Sequence, residues 1–304
     1  MRTIVVFGGT GFLGRRITQR LVAEGHAVRI AVRDAQRARG TLPVGSPERV
    51  TVCSADVRDR EAIARSVAGA DAVVNAVSAY VEAGGVTFEA VHERGAEGLA
   101  REAAAAGVAR HVLVSGIGAD SESGLPYIRA RGRGERCVRQ AFPATTIVRP
   151  SAMFGPGDAL ISTIAGLIRV LPLLPLIGSG RTRLQPVYVM DVAEAVTRIL
   201  ADPGNCGRTY EFGGPAVYTL RELYTLALQA AGKRRVLVPV PFALAELLAR
   251  MLEWLPGPPL TTGQVDLLRT DNVASGSLPG LRELGIEPKA LAQIMSSQLD
   301  GMSQ

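Results

Sequence analysis

The chain has 304 residues, 47% of them hydrophobic and 20% charged, a balance that excludes wholesale disorder and leaves enough length for one large core or two joined ones. Its 34 basic residues exceed 28 acidic ones by +6, but no dense basic run with interleaved aromatics accompanies the excess, which excludes a nucleic-acid surface. Three separated cysteines (Cys53, Cys137, Cys206) and three histidines at no zinc spacing exclude a disulfide framework and a metal finger, and point to a reducing, cytoplasmic setting.

The first half alternates strand and helix patterns. Residues 3–7, TIVVF, form a β-branched run suited to a strand covered on both faces. A helix over 11–24 follows, with Phe12, Leu13, Ile17 and Leu21 at helical spacing and Gly25 as its stop. Further strands are expected over 28–32, 50–53, 72–77, 111–115 and 145–148, and helices over 59–67, 88–106 and 127–142. Repeated βα units specify a parallel sheet with helices on both faces, the doubly wound Rossmann class. After Arg149-Pro150 the rhythm changes. Residues 155–186 carry four prolines; 186–189 resembles a strand, Asp191 is read as the cap of a helix running to Leu200, and 209–212 is a last short strand. The pattern divides the chain into a dinucleotide domain, 1–154 with 187–213, and a smaller, mostly helical substrate or partner domain, 155–186 with 214–304. The first eleven residues lack a signal peptide's longer apolar region, and the apolar stretch 160–178 is broken by Arg169, Pro172 and Pro175, so it is a poor membrane span.

Between the first strand and helix lies GGTGFLG, residues 8–14. Gly8, Gly11 and Gly14 let the backbone turn tightly and approach a pyrophosphate, and the helix start at Phe12 and Leu13 offers free N–H groups to it. The end of the second strand selects the nucleotide. Arg33 stands there with Arg37 a turn later, and a guanidinium matches a 2′-phosphate; adjacent Asp34 is read as a helix cap. The preferred cofactor is therefore NADP(H), with NAD(H) as the alternative. Asp56 and Val57 follow the third strand, where an adenine lies, and Asp56 is read equally as a helix cap. Asn75 ends the fourth strand at the cofactor crevice.

These stretches resemble the extended and atypical branch of the short-chain dehydrogenase/reductase superfamily, epimerase/dehydratase-like, over nearly the whole chain. The carriers are GGTGFLG, Asp56-Val57, Asn75, residues 91–95, Val114-Ser115-Gly116, Tyr127, Arg149-Pro150, Phe154-Gly155-Pro156 and residues 186–193. Residues 175–186, 210–215 and the Leu-rich tail with 256–259 are similar to the family of nucleotide-binding accessory subunits of respiratory complex I and its bacterial relatives. The resemblance implies a Rossmann fold, a bound nicotinamide nucleotide with Pro150 beside it, and a catalytic set of Ser115, Tyr127 and a Lys four residues on. That Lys position holds Arg131, which keeps the charge but is planar and passes on no proton. A phenol has a pKa of about 10 and needs a nearby cation to work near neutrality. Two readings follow: an accessory or quinone-linked protein near the respiratory chain with weak or absent catalysis, or an active oxidoreductase, epimerase or dehydratase on a small carbonyl or hydroxyl substrate.

Residues 241–255, PFALAELLARMLEWL, read as a helix with one narrow polar stripe of Glu246, Arg250 and Glu253. The broad apolar remainder fits a core, or a membrane surface or membrane-bound complex, with the protein peripheral on the inner face.

Overall fold

TIVVF forms strand β1 (Thr3–Phe7), and Ile4, Val5, Val6 and Phe7 are all buried. The computed structural model describes residues 1–39, 47–254 and 260–295. From β1 the chain runs through α1 (Phe12–Ala23), β2 (Ala27–Val32), α2 (Ala35–Arg39), β3 (Val50–Ser54), α3 (Arg60–Val67) and β4 (Ala72–Asn75). Widened π-helical turns over Glu89–Gly95 then lead into α4 (Ala96–Ala105), followed by β5 (Arg110–Val114), α5 (Pro126–Ala141) and β6 (Thr146–Pro150).

Beyond β6 come β7 (Met153–Phe154), α6 (Leu160–Val170), β8 (Leu173–Ile177), β9 (Arg183–Leu184), β10 (Val187–Tyr188), α7 (Val189–Ala201) and β11 (Thr209–Phe212). The described chain continues with β12 (Tyr218–Thr219), α8 (Leu220–Ala230), β13 (Val236–Val240), α9 (Phe242–Leu252) and α10 (Thr262–Leu267).

Seven strands form one sheet in the order β11-β6-β5-β4-β1-β2-β3. β1 pairs in parallel with both β2 and β4, so successive crossovers leave it in opposite directions. That reversal opens a crevice beyond the carboxyl ends of β1 and β4, where doubly wound sheets bind their ligands. One core face joins Val5, Phe7, Val73, Leu113 and Ile147 of the strands to Leu99 of α4 and Val138 of α5. Asp59 caps α3 by accepting from the Ala62 N–H. Behind the sheet, Arg149 forms a two-pronged ion pair with Glu135 (2.6 and 3.0 Å) and reaches Glu211 at 3.6 Å; both carboxylates are buried. This ties α5 to the ends of β6 and β11.

The chain divides into two compact units, Met1–Arg149 with Met190–Glu211 and Leu278–Ile286, and Pro150–Val189 with Phe212–Ser277 and the chain from Glu287 onward. Residues 278–286, read from the sequence as part of the second domain, group with the first. The Glu211 N–H donates to the Pro279 carbonyl at 3.0 Å, and Arg198 Nη1 donates to the carbonyls of Leu284 and Gly285. Asp191 lies inside the first turn of α7 rather than capping it. The helix starts two residues earlier, and the carboxylate still sits at its positive end.

The second unit contains more strand than its helical pattern suggests. β7 and β10 pair in parallel, as do β8 and β13, while β9 and β12 pair antiparallel. β8 and β13 each contain a proline, Pro175 opposite Val238 and Pro239 opposite Leu176. A proline argues against a central strand but is tolerated in a two-stranded sheet, where each strand keeps one free edge. The unit's core gathers Phe154, Ile164, Leu174, Leu176, Leu223 and Leu228.

α9 buries only Ala245 and Ala249, and Leu244, Leu247, Leu248, Met251 and the following Trp254 are exposed. Its larger apolar side chains from Leu244 onward are therefore mostly outside the core, and Leu255 and residues 256–259 lie outside the described residues. Among the described residues no helix is long and apolar enough to cross a membrane.

Candidate functional site

The turn after β1 is built by glycines for distinct reasons. Gly8 has φ +75°, and a Cβ there would lie 2.8 Å from the Ala76 carbonyl oxygen. A Cβ on Gly14 would lie 2.1 Å from the Gly8 carbonyl oxygen, so only glycine lets α1 start this close to β1. Gly11 precedes α1 with extended backbone and no side-chain cap, leaving the first helical N–H groups open to a ligand. Phe12 opens α1, and Leu13 anchors it from the core.

A cavity of about 530 Å³ adjoins this turn, lined among others by Gly8, Gly11, Arg33, Asp56, Val57 and Ser78. Arg33 and Asp34 diverge. Asp34 Oδ1 accepts from the Arg37 N–H at 3.0 Å and so caps α2, while Arg33 faces the cavity. Asp56 is not the cap of α3, a role Asp59 fills. Its carboxylate is gripped by Arg58, with Nη2 at 2.7 Å and Nε at 3.0 Å, which holds Asp56 below the usual carboxylate range. Asn75 is buried, and its Oδ1 accepts from the Val77 N–H at 3.2 Å, shaping the backbone that follows β4.

Tyr127, in the first turn of α5, is buried in an aromatic cluster. Tyr80 stacks on it, and Phe88 and His92 meet it edge-on, each with centroids 5.4 Å away. The Arg131 guanidinium lies 4.8 Å from the Tyr127 ring centroid, and its Nη2 donates to Ser78 Oγ at 3.1 Å. Ser78 Oγ lies 3.5 Å from Tyr127 Oη. Burial pushes the Tyr127 phenol well above the ordinary tyrosine range, and the Arg131 charge offsets only part of that. The phenol is thus held protonated near neutrality.

Ser115 follows β5, its N–H bonded to the Val148 carbonyl, and its buried Oγ has no hydrogen-bond partner among the described residues. Pro150 is the buried last residue of β6. The structure thus gathers Gly8, Gly11, Arg33, Asp56 and Val57 around one cavity and sets Tyr127 against Arg131. It links Tyr127 and Arg131 to that cavity through Ser78.

Thr10, Arg58, Ser78 and Tyr80 also line the cavity and were not read from the sequence. Ser78 had a usable signal, lying three residues past Asn75 on the switch-point strand. Tyr80, Phe88 and His92 had none, since only the fold brings them to Tyr127.

His92 carries a pH consequence. Burial and the nearby Arg131 charge lower its pKa from 6.5 to about 3, and its Nε2 lies within hydrogen-bonding distance of the Ala79 backbone. A depressed histidine pKa means that the unfolded chain binds the proton first. Stability is therefore full above about pH 6.5 and falls as the pH drops toward 3, by about 1 kcal/mol per pH unit. Urea midpoints at pH 7 and pH 5 should show this loss, and a His92→Gln variant should show a smaller one; an equal slope would contradict it.

Comparison with known proteins agrees with this geometry. A family model described as NAD(P)H-binding matches residues 8–203. The mitochondrial NADH dehydrogenase [ubiquinone] 1 alpha subcomplex subunit 9 of Arabidopsis thaliana is 33% identical over 298 residues, covering 94% of this chain and 74% of that one. The ceramide reductase of Caulobacter vibrioides is 32% identical over 201 residues, 66% of this chain and 61% of that one. Among solved structures, the dTDP-glucose 4,6-dehydratase DesIV of Streptomyces venezuelae, determined with NAD bound, superposes with a TM-score of 0.76 at 22% identity, covering 100% of this chain and 97% of that one. The chain therefore belongs to the NAD(P)H-binding family, with the epimerase/dehydratase-like short-chain dehydrogenase/reductase fold, and is related along nearly its whole length to subunit 9 of the mitochondrial NADH dehydrogenase alpha subcomplex.

Proposed function

We propose that this protein binds NADP(H) in the β1–β4 crevice chiefly as a structural ligand, performs little or no hydride chemistry, and serves as an accessory component at a membrane-bound respiratory complex. The observation that carries the reading is the Tyr127–Arg131 stack. The cation expected to lower the phenol's pKa lies on its ring face and is tied to Ser78.

The residues fit the nucleotide. The Gly8–Gly14 turn and the start of α1 would cradle the pyrophosphate, Arg33 would meet a 2′-phosphate, and Asp56 and Val57 would flank the adenine. Asn75 holds the backbone after β4 in place. When bound, the nucleotide supplies a hydride donor or acceptor. Ser115 would orient a substrate oxygen there, and Tyr127 would hold the proton on its Oη. Arg131 keeps the charge, but its planar guanidinium passes on no proton and so lacks the proton-relay duty of a lysine. A ligand held at 100 times its dissociation constant adds about 2.7 kcal/mol to stability, enough to make the nucleotide a structural part of the molecule. NADPH is expected to raise the melting temperature strongly while staying reduced through hours with the protein; rapid loss of its absorbance would contradict the reading.

A second reading, an active reductase on a carbonyl or quinone substrate, is favoured by one observation: the unpartnered buried Oγ of Ser115, aligned with the retained Tyr127 in sequence. Similarity to the Caulobacter ceramide reductase supports it. Arg131→Lys separates the two. It should raise turnover if only the cation's geometry is limiting and leave it absent if the site is structural.

The membrane-side role is supported by the exposed apolar face of α9 and by the relationship to the complex I subunit.

A further inference from the structure

A second cavity, of about 670 Å³, lies wholly within the second unit, away from every residue assigned above. It is lined by Gly180, Arg181, Thr219, Arg221, Pro239 and Pro241 among others. The turn that carries Arg181 is closely packed. Gly178 and Gly180 both have positive φ, and added Cβ atoms would strike the Phe242 ring at 2.6 Å and Leu176 at 2.5 Å. The Arg221 N–H donates to the Gly180 carbonyl at 3.0 Å, so the backbones of the two arginines meet at one rim. Neither guanidinium has a hydrogen-bond or ion-pair partner among the described residues. The acids nearby are engaged elsewhere: Glu222 closes the cap on Thr219, Glu246 pairs with Arg250 and Arg269, and Glu253 accepts from Thr262.

The same cavity lies where β13 runs into α9, since Pro239 belongs to β13 and Pro241 caps α9. On the β8–β13 sheet, Leu173 pairs with Val236, and these are 56% and 63% exposed, with Val238 beside them. On α9, Leu247, Met251 and Trp254 are exposed, Trp254 at 91%. Lys233, Arg234 and Arg235 immediately precede β13. Single exposed apolar residues are ordinary, whereas several on one two-stranded sheet and several more on one helix of the same unit are not. Unpaired cations and exposed apolar side chains within one unit complement a surface that is anionic at the headgroup and apolar beneath.

We propose that the Arg181–Arg221 cavity is a phosphate-headgroup subsite, and that the β8–β13 and α9 faces dock beside it on an anionic phospholipid surface. The proposal rests on the membrane-side part of the reading above and adds to it a lipid class and two specificity residues.

The test is vesicle flotation of the full chain with phosphatidylcholine alone and with about one-third phosphatidylglycerol, comparing wild type with Arg181→Gln/Arg221→Gln. Wild type should float with the anionic vesicles and be released by high salt. The double variant should partition roughly tenfold or more weakly, as loss of two surface cations predicts, while binding NADPH as wild type does. Equal flotation of the two proteins overturns the subsite and leaves membrane association standing. Failure of wild type to float with any vesicle overturns both. Inorganic phosphate that stabilises wild type but not the double variant, with no flotation, makes the cavity a free-phosphate site and overturns the lipid occupant.

Discussion

A Gly14→Val variant should lose nucleotide binding and about 3 kcal/mol of stability, the upper end of what overpacking a tight contact costs. The new Cβ would sit 2.1 Å from the Gly8 carbonyl oxygen and 3.0 Å from Gly9 Cα, both backbone atoms that cannot rotate aside. α1 would have to withdraw from β1, carrying its open N–H groups out of line with the crevice. Gly11→Ala makes the contrast. Its backbone is already extended, and its Cβ would meet only the Gly8 carbonyl oxygen, at 3.2 Å. Gly11→Ala should keep nearly wild-type stability and weaken nucleotide binding by crowding the phosphates. Thermal denaturation and calorimetric titration of both variants distinguish the roles; equal effects at the two positions would contradict them.

Arg33→Ala should weaken NADPH binding about tenfold to hundredfold, the value of a charge-assisted contact of about 1.5–3 kcal/mol, and leave NADH binding nearly unchanged. The expectation follows from the divergence of two neighbours. Asp34, which would select a ribose 2′-hydroxyl, is spent capping α2, and Arg33 faces the cavity beside Asp56 and Arg58. Titration of both nucleotides into both proteins decides it. Equal losses, or a wild-type preference for NADH, would place the discrimination elsewhere.

The Rossmann half was legible because its signals are local. A β-branched run, a glycine turn and an amphipathic helix in β1–α1 each follow from a short window of sequence. So did Asp34, whose cap needs only α2. Asp56 was harder, because two aspartates three residues apart compete to cap α3; Asp59 wins, and Asp56 closes on Arg58. The aromatic surround of Tyr127 depends on Tyr80, Phe88 and His92 arriving from a segment remote in sequence, and nothing near Tyr127 announces them. The second unit was least legible. Prolines mask β8 and β13, whose pairing joins residues some sixty apart, and the return of 278–286 to the first unit rests on backbone contacts with Glu211 and Arg198. Periodicity could not decide whether α9 faced a core, since a broad apolar face reads alike in both settings; only its exposed Leu247 and Met251 settle that.

Tyr127 decides between a structural nucleotide and a working enzyme. The most direct measurement follows NADPH absorbance with wild type and Tyr127→Phe against quinones, aldehydes and nucleotide sugars, after calorimetry has shown that both proteins bind the nucleotide. Removing the hydroxyl 3.5 Å from Ser78 should change stability by no more than about 1 kcal/mol. The expected result is stoichiometric binding with slow or absent oxidation, unchanged in Tyr127→Phe. Robust wild-type turnover that Tyr127→Phe abolishes would contradict the accessory reading and establish an oxidoreductase working through a Tyr127–Arg131 pair.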